Sequence, residues 1–237
     1  MRSTANEKLK DEIRNTEIFR NIDDRQIARF LSGITIRTYR DGHMLFFAGD
    51  ICTSLYVILS GTVCLNFISE EGNEVIFSEL QPGDVFGEIE LTLNYRHSST
   101  ATIFRTTRLL EIDRKIFGEI SQLPEISSFL LKSFARKLHN TMMFAEGMAL
   151  YPLETRLARL LINMGSVHGR NIGDGILIEK PISQSRMGQL INASRSRINA
   201  QLQAWKTERL IGMRHNRIVI IDKRSLQIIS RHSDPKA

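Results

Sequence analysis

The chain has 237 residues, 42% hydrophobic and 24% charged, with a formal net charge of +6. It is long enough for two cores, with ordinary globular composition. No run of eighteen apolar residues occurs and the N-terminal MRSTANEKLKDEIRNTEIF is polar, so neither a signal peptide nor a membrane span is expected, and the expected location is the cytoplasm. Two cysteines, Cys52 and Cys64, make neither a disulfide framework nor a metal cluster, and read as buried thiols in a reducing compartment. The charge is uneven. Residues 181–237 hold eleven Lys/Arg and three Asp/Glu (+8), whereas residues 1–180 carry −2. A basic C-terminal quarter on a near-neutral body points to a polyanion partner, against the alternative of a solvated basic face.

From about Gly33 to Asp113 the pattern is short and strand-like. In TSLYVILSGTVCLNFIS, Leu55, Val57 and Leu59 alternate, then Val63, Leu65 and Phe67, with Ser60-Gly61 between them; this predicts a hairpin. EEGN at 70–73 and QPGD at 81–84 read as further turns, and strands punctuated by glycine suggest a barrel or β-roll. Within this region, GDVFGEIELTLNYRHSSTATI (83–103) places Gly83 and Gly87 where backbone can approach a bulky anion. Residues 88–93 suit one helical turn whose N-terminal amides face that anion. Glu88 would be repelled by a phosphate, and makes sense as an acceptor for a ribose hydroxyl. Ser98, Ser99 and Thr100 then supply hydroxyl and amide donors across the loop.

After about Pro124 the period changes. Leu131, Phe134, Leu138, Thr141, Ala145 and Met148 recur at spacings of three and four, an apolar seam on a helix expected over 121–150. Such a seam predicts a homodimer, against the alternative of a helix packed on its own domain. Thr141 places a hydroxyl in the stripe, and it either meets a ligand or bonds the carbonyl one turn back. Tyr151-Pro152 ends the helix, Pro152 opens the next, and a looser stretch, GSVHGRNIGDGILIEKP, follows.

The last segment, ISQSRMGQLINASRSRINAQLQAWKTERLIGMRHNRIVIID, divides into helix, turn, helix and β-hairpin. Ser183 is an N-cap, with Gln184 beside it, and Met187, Leu190 and Ile191 form an apolar face. Asn192 suits a left-handed turn. A second helix starts on a Ser194 cap and buries Ile198, Leu202 and Trp205. Its outward face begins with Arg195, Ser196 and Asn199, spaced to enter a major groove of double-stranded DNA. Arg197 points away from Arg195, towards phosphate or a structural contact. Arg214, His215 and Arg217 in the final hairpin would flank the backbone as a wing.

From end to end the chain resembles the CRP/FNR (catabolite activator protein) family of bacterial transcription regulators, most closely in SRMGQLINASRSRINAQLQ. The resemblance implies an α+β fold: a cyclic-nucleotide-binding β-roll over residues 1–120, a dimerisation helix over 121–150, and a winged helix-turn-helix over 151–237. It implies a two-fold palindromic operator, with RNA polymerase as a further partner, and makes Arg195 a guanine reader. The family's usual glutamate after that arginine is Ser196 here, and its second basic reader is Ala200, so the operator should differ from the best-known family site.

The same resemblance makes residues 83–103 a phosphate-binding cassette and the effector a cyclic nucleotide, cAMP in first place and cGMP in second. Gly87, Glu88, Ile89, Ser98, Ser99 and Thr100 would line it, Thr141 would meet the purine, and Met142 replaces a serine that family members use from the partner subunit. One departure stands out: the usual Arg-Ser-Ala or Arg-Ala-Ala is Ser99-Thr100-Ala101. Either Arg96 or His97 reaches round to the phosphate, or that charge is lost, which would weaken binding. Two cysteines cannot hold an iron–sulfur cluster. A same-family regulator sensing haem (through His43, His97 or His139) or another metabolite, or acting without ligand, is the alternative. No cofactor, metal site or catalytic constellation is expected; a phosphodiesterase would need metal ligands or a nucleophile–base pair, and a kinase-binding module would have no use for Arg195.

Overall fold

The computed structural model of the chain describes residues 2–70 and 72–231. Two units emerge, divided within the long helix between Thr141 and Met142. The N-terminal part begins with α1 (Arg2–Arg14) and α2 (Asp24–Phe30), followed by strands β1 (Ile34–Tyr39), β2 (Met44–Phe46), β3 (Ser54–Ile68), β4 (Glu74–Leu80) and β5 (Val85–Phe86). Then come α3 (Glu88–Leu93), β6 (Thr100–Asp113), α4 (Arg114–Ile120) and α5 (Pro124–Leu150). The sheet order is β1-β6-β3-β4, with β2 also on β6 and β5 on β3. The spine is the antiparallel pair β3–β6, which runs from Ser54 opposite Asp113 to Asn66 opposite Thr100.

That spine separates two cores. Leu55, Val57, Leu110 and Ile112 face a helix-covered core with Phe19, Ile27, Ile120 and Ile126. The intervening Tyr56, Ile58 and Leu109 point into the roll, against Phe46, Val63, Phe86 and Ile103. Alternate side chains of a strand leave on opposite faces, so here both faces are buried.

The hairpin expected at Ser60-Gly61 is absent: β3 is one continuous strand. Gly61, with φ +92°, instead forms an irregularity at which the register against β6 shifts, as a β-bulge does. A Cβ at Gly61 would stand 2.6 Å from Thr107 Cα. The Thr107 hydroxyl accepts from Thr62 N at 3.0 Å, so the bulge is fastened to the partner strand. The QPGD turn is present: Asp84 N donates to Gln81 O at 3.0 Å, and Gly83 has φ +94°. The turn at 70–73 includes Glu71, which lies outside the described residues; beside it Ser69 N donates to Asn73 O at 2.9 Å.

The long helix starts at Pro124 rather than Ser121, because Ser121 closes α4 as its C-cap. Ile126, Leu130 and Ser133 form its buried stripe, while Leu131 (69% exposed) and Leu138 (63%) face outward. Phe134, expected in the seam, packs on its own chain's core instead.

The C-terminal part contains α6 (Leu153–His168), β7 (Gly169–Asn171), β8 (Ile176–Ile178), α7 (Gln184–Ile191), α8 (Arg195–Thr207), β9 (Ile211–Arg214), β10 (Arg217–Ile220) and α9 (Lys223–Arg231). The stretch read as loose is thus the end of α6 plus a β7–β8 hairpin, whose β8 adds to β10 in a sheet of order β7-β8-β10-β9. One core gathers Leu157, Leu161, Met187, Ile198, Trp205, Ile218 and Leu226. Among the described residues no helix is long and apolar enough to cross a membrane.

Candidate effector cavity and DNA interface

Gly87 sits at φ +88°, and a Cβ there would lie 2.6 Å from Ser54 O, so the chain turns from β5 into α3 only with glycine. That turn puts Glu88, the first residue of α3, wholly inside the protein (0% exposed). Asn94, left-handed at φ 56°, ends α3 after six residues. Ser98 Oγ donates to Glu90 Oε1 at 2.7 Å, which ties the far arm of the loop to the helix. A cavity of about 160 Å³ opens here, and Gly87, Glu88, Ile89, Ser98, Ser99 and Thr141 are on its wall.

The cation at this cavity comes from α5. Lys137 Nζ donates to Glu88 Oε1 and to the carbonyl of Val85. Arg136 lines the same wall and pairs with Asp84 at 3.9 Å. Glu88 Oε2 is buried and has no hydrogen-bond partner among the described residues. Burial pushes the Glu88 carboxyl above its usual range, against the opposing pull of Lys137.

The two residues expected to replace the missing arginine are placed elsewhere. Arg96 Nη1 donates to Gly49 O at 2.8 Å, on the outside of the loop. His97 stacks on Phe46 with ring centroids 3.5 Å apart, and its burial lowers its pKa despite nearby Glu90 and Asp50. Neither lines the cavity. Thr100 is buried and accepts from Ala48 N at 3.2 Å, bracing the loop, while Met142 is exposed. His43, the other candidate on the roll, stacks on Tyr39 at 5.0 Å, and His139 is exposed on α5. Among the described residues no three His, Cys, Asp or Glu side chains are grouped to hold a metal ion.

Sequence reasoning passed over Lys137, yet a signal was present. Ile126, Leu130, Ser133, Lys137 and Thr141 recur at spacings of three and four, so Lys137 lies one turn before Thr141 on the same face.

The second site is built from short polar residues at helix ends. Ser183 caps α7 by accepting from Arg186 N at 3.1 Å, and Ser194 caps α8 by accepting from Arg197 N at 3.3 Å. Asn192 between them is left-handed, φ 50°. Ile198, Leu202 and Trp205 anchor α8, leaving Arg195, Ser196, Arg197 and Asn199 exposed. Gln184 Nε2 donates to Asn199 Oδ1 at 3.0 Å, linking the starts of the two helices. Arg214 and Arg217 face each other across a two-residue turn, His215-Asn216, both with positive φ (48° and 61°), the geometry that closes a tight hairpin. A groove of about 620 Å³ joins Ser183, Gln184, Arg195 and Arg217 with Lys180 and Lys206, two cations that spacing alone did not single out. Positive side chains and helix N-termini around a groove suit a phosphate backbone.

A β-roll with a buried carboxylate on the wall of a small cavity, and a winged helix-turn-helix in the same chain, define a ligand-responsive DNA-binding regulator. The family described as "Cyclic nucleotide-binding domain" matches residues 36–122, and the "Crp-like helix-turn-helix domain" matches 155–229. The chain is 26% identical over 210 residues to the CRP-like cAMP-activated global transcriptional regulator of Mycobacterium tuberculosis, covering 88% of this chain and 94% of that one. It is 28% identical over 198 residues to the cAMP-activated global transcriptional regulator CRP of Haemophilus influenzae, covering 82% and 88%. Among solved structures, the fold resembles the c-di-GMP responsive global regulator CLP of Xanthomonas campestris, with TM-score 0.72, 20% identity and coverage of 84% and 99%. It also resembles a CRP/FNR-family transcriptional regulator of Thermus thermophilus, with TM-score 0.68, 18% identity and coverage of 84% and 100%. The chain belongs to the CRP/FNR family of transcription regulators. Its two domains are those of a DNA-binding regulator under cyclic-nucleotide control.

Proposed function

We propose that the effector is a purine cyclic nucleotide, cAMP before cGMP, bound in the cavity between the roll and α5. The supporting observation is Glu88: a fully buried carboxylate with one oxygen held by Lys137 and the other without a partner. A buried acceptor left unmade is unfavourable by about 1–3 kcal/mol, and a ribose hydroxyl would satisfy Oε2 while Lys137 keeps Oε1. Ser98 and Ser99 then donate to the phosphate, with Lys137 and Arg136 supplying the charge that the cassette loop lacks, and Thr141 meets the base. At about 160 Å³ the cavity is smaller than the roughly 300–1,000 Å³ usual for ligand sites, so entry moves the long, flexible Arg136 side chain rather than backbone.

The protein works as a cytoplasmic homodimer through the outward stripe Leu131, Leu138 and Met142. Ligand shifts the hinge at 150–154 so that both α8 helices meet successive major grooves, about 34 Å apart. Arg195 reads guanine from a two-fold operator, Asn199 reads beside it, and Arg214, Arg217, Lys180 and Lys206 meet phosphates. The protein performs no catalysis of its own. Calorimetric titration with cAMP and cGMP tests the effector. Micromolar binding that Glu88→Ala abolishes is expected, whereas no heat with either nucleotide, or binding that survives the substitution, would refute the assignment.

A further inference from the structure

The turn between α7 and α8 is held from behind by an arginine that neither the effector cavity nor the DNA face uses. Arg156 stands in the first turn of α6. Its Nη1 donates to the carbonyl of Ile191, the last residue of α7, and lies 3.2 Å from Met148 Sδ near the end of α5. The Ile191 carbonyl is among the last four of its helix, which lack partners within it, and a cation is favoured there by the helix dipole. The next residue is left-handed Asn192, and two residues on Ser194 caps the recognition helix. One guanidinium therefore touches the end of the long helix on one side of the hinge and the pivot of the reading helix on the other.

The surroundings show that this guanidinium is held by geometry rather than by charge. Arg156 Nε is buried without a partner among the described residues. Arg197, in the first turn of α8, is a like charge beside it, and the opposing carboxylate is Glu154. A second strap crosses the same hinge. Tyr151 Oη donates to Glu146 Oε1 at 2.9 Å, the Arg159 guanidinium lies 3.7 Å over the Tyr151 ring, and Arg159 Nε donates to Ser230 O at 2.8 Å.

We propose that Arg156 is a positioning residue for DNA reading, setting the placement of α7, the turn and α8 against α6 and the end of α5. The inference rests on the DNA-reading assignment and adds to it a separation of effects. Base contacts by Arg195 and Asn199 need the helix at a set depth and tilt. Phosphate contacts by long surface cations tolerate small displacements, because they carry no sequence information and arise mainly from charge. Losing Arg156 therefore degrades discrimination more than binding.

The test uses the full-length chain, an operator selected by it from randomised duplexes, and a scrambled duplex of equal length, titrated by fluorescence anisotropy across a salt series. Arg156→Gln is expected to lower operator affinity about tenfold or more, leaving affinity for the scrambled duplex and the salt slope unchanged. Arg156→Lys, which can reach the Ile191 carbonyl with one donor, recovers part of the loss. Parallel weakening on both duplexes, or an unchanged operator-to-scrambled ratio in a variant that merely melts lower, would overturn the proposal in favour of a stabilising role alone. So would a glutamine variant that fails to fold beside a lysine variant with the full ratio. If the unmodified chain selects no operator, the DNA-reading assignment has itself failed, and the inference falls with it.

Discussion

Lys137→Met isolates the electrostatics of the effector cavity. Methionine retains much of the aliphatic bulk of the stem but removes the cation paired with a carboxylate that is 0% exposed, and with it the donor to Val85 O. Breaking a buried pair from one side typically destabilises by about 3–5 kcal/mol. Lys137 retains 21% of its side-chain exposure, so water screens part of the interaction, and about 2–4 kcal/mol is the expected loss near neutral pH. For a protein of this size that lowers Tm by about 5–15 °C. The sign of the pH dependence follows from Glu88, whose carboxyl burial already raises. A carboxyl raised on folding binds more protons in the native state, so its contribution is full below the unfolded value and is lost as pH rises through the folded one. Without Lys137 the main opposition to burial is gone, the folded pKa climbs further, and the loss extends upward in pH. The deficit of Lys137→Met against the parent should therefore be larger at pH 8 than at pH 5, and adding Glu88→Gln should restore most of it. The assay is urea denaturation at a fixed chain concentration, since dimerisation would make midpoints concentration-dependent. An equal deficit at both pH values, or no recovery in the double variant, would refute the reasoning.

Two further outcomes follow from particular side chains. Burial lowers the pKa of His97, so the unfolded chain binds the extra proton below about pH 6.5 and native stability falls as pH drops through that value. His97→Phe, which preserves the stack on Phe46, should flatten this limb between about pH 7.5 and pH 5.5 in urea midpoints; the same slope in both proteins would show that another group titrates there. Leu138, 63% exposed on the outward stripe of α5, is expected to be buried in the dimer. Leu138→Glu should yield monomers by sedimentation with an unchanged circular dichroism spectrum, and a variant that remains dimeric would exclude this face as the interface.

The sequence by itself determined what depends on a residue and its near neighbours along the chain. Ser183 and Ser194 cap α7 and α8, and Asn192 takes the left-handed turn between them. Gly87 turns into α3, and Ile198, Leu202 and Trp205 anchor α8 by their spacing alone. Such choices are governed by backbone sterics and hydrogen bonds spanning a few residues, so a short window contains their causes. Only the tertiary structure decided the features whose cause lies far along the chain. Gly61 reads locally as a hairpin turn, but it is a bulge because Thr107, on a strand some forty-five residues later, accepts from Thr62 N. Arg96 and His97 have the right chemistry for a phosphate and the right distance from Glu88 in sequence, yet the Gly49 carbonyl holds one and the Phe46 ring the other. The cation beside Glu88 is Lys137, |i−j| = 49 away. Periodicity could place that lysine on the inward face of its helix, but which carboxylate it would meet was set by packing α5 against the roll, a choice made by the whole apolar core rather than by either residue.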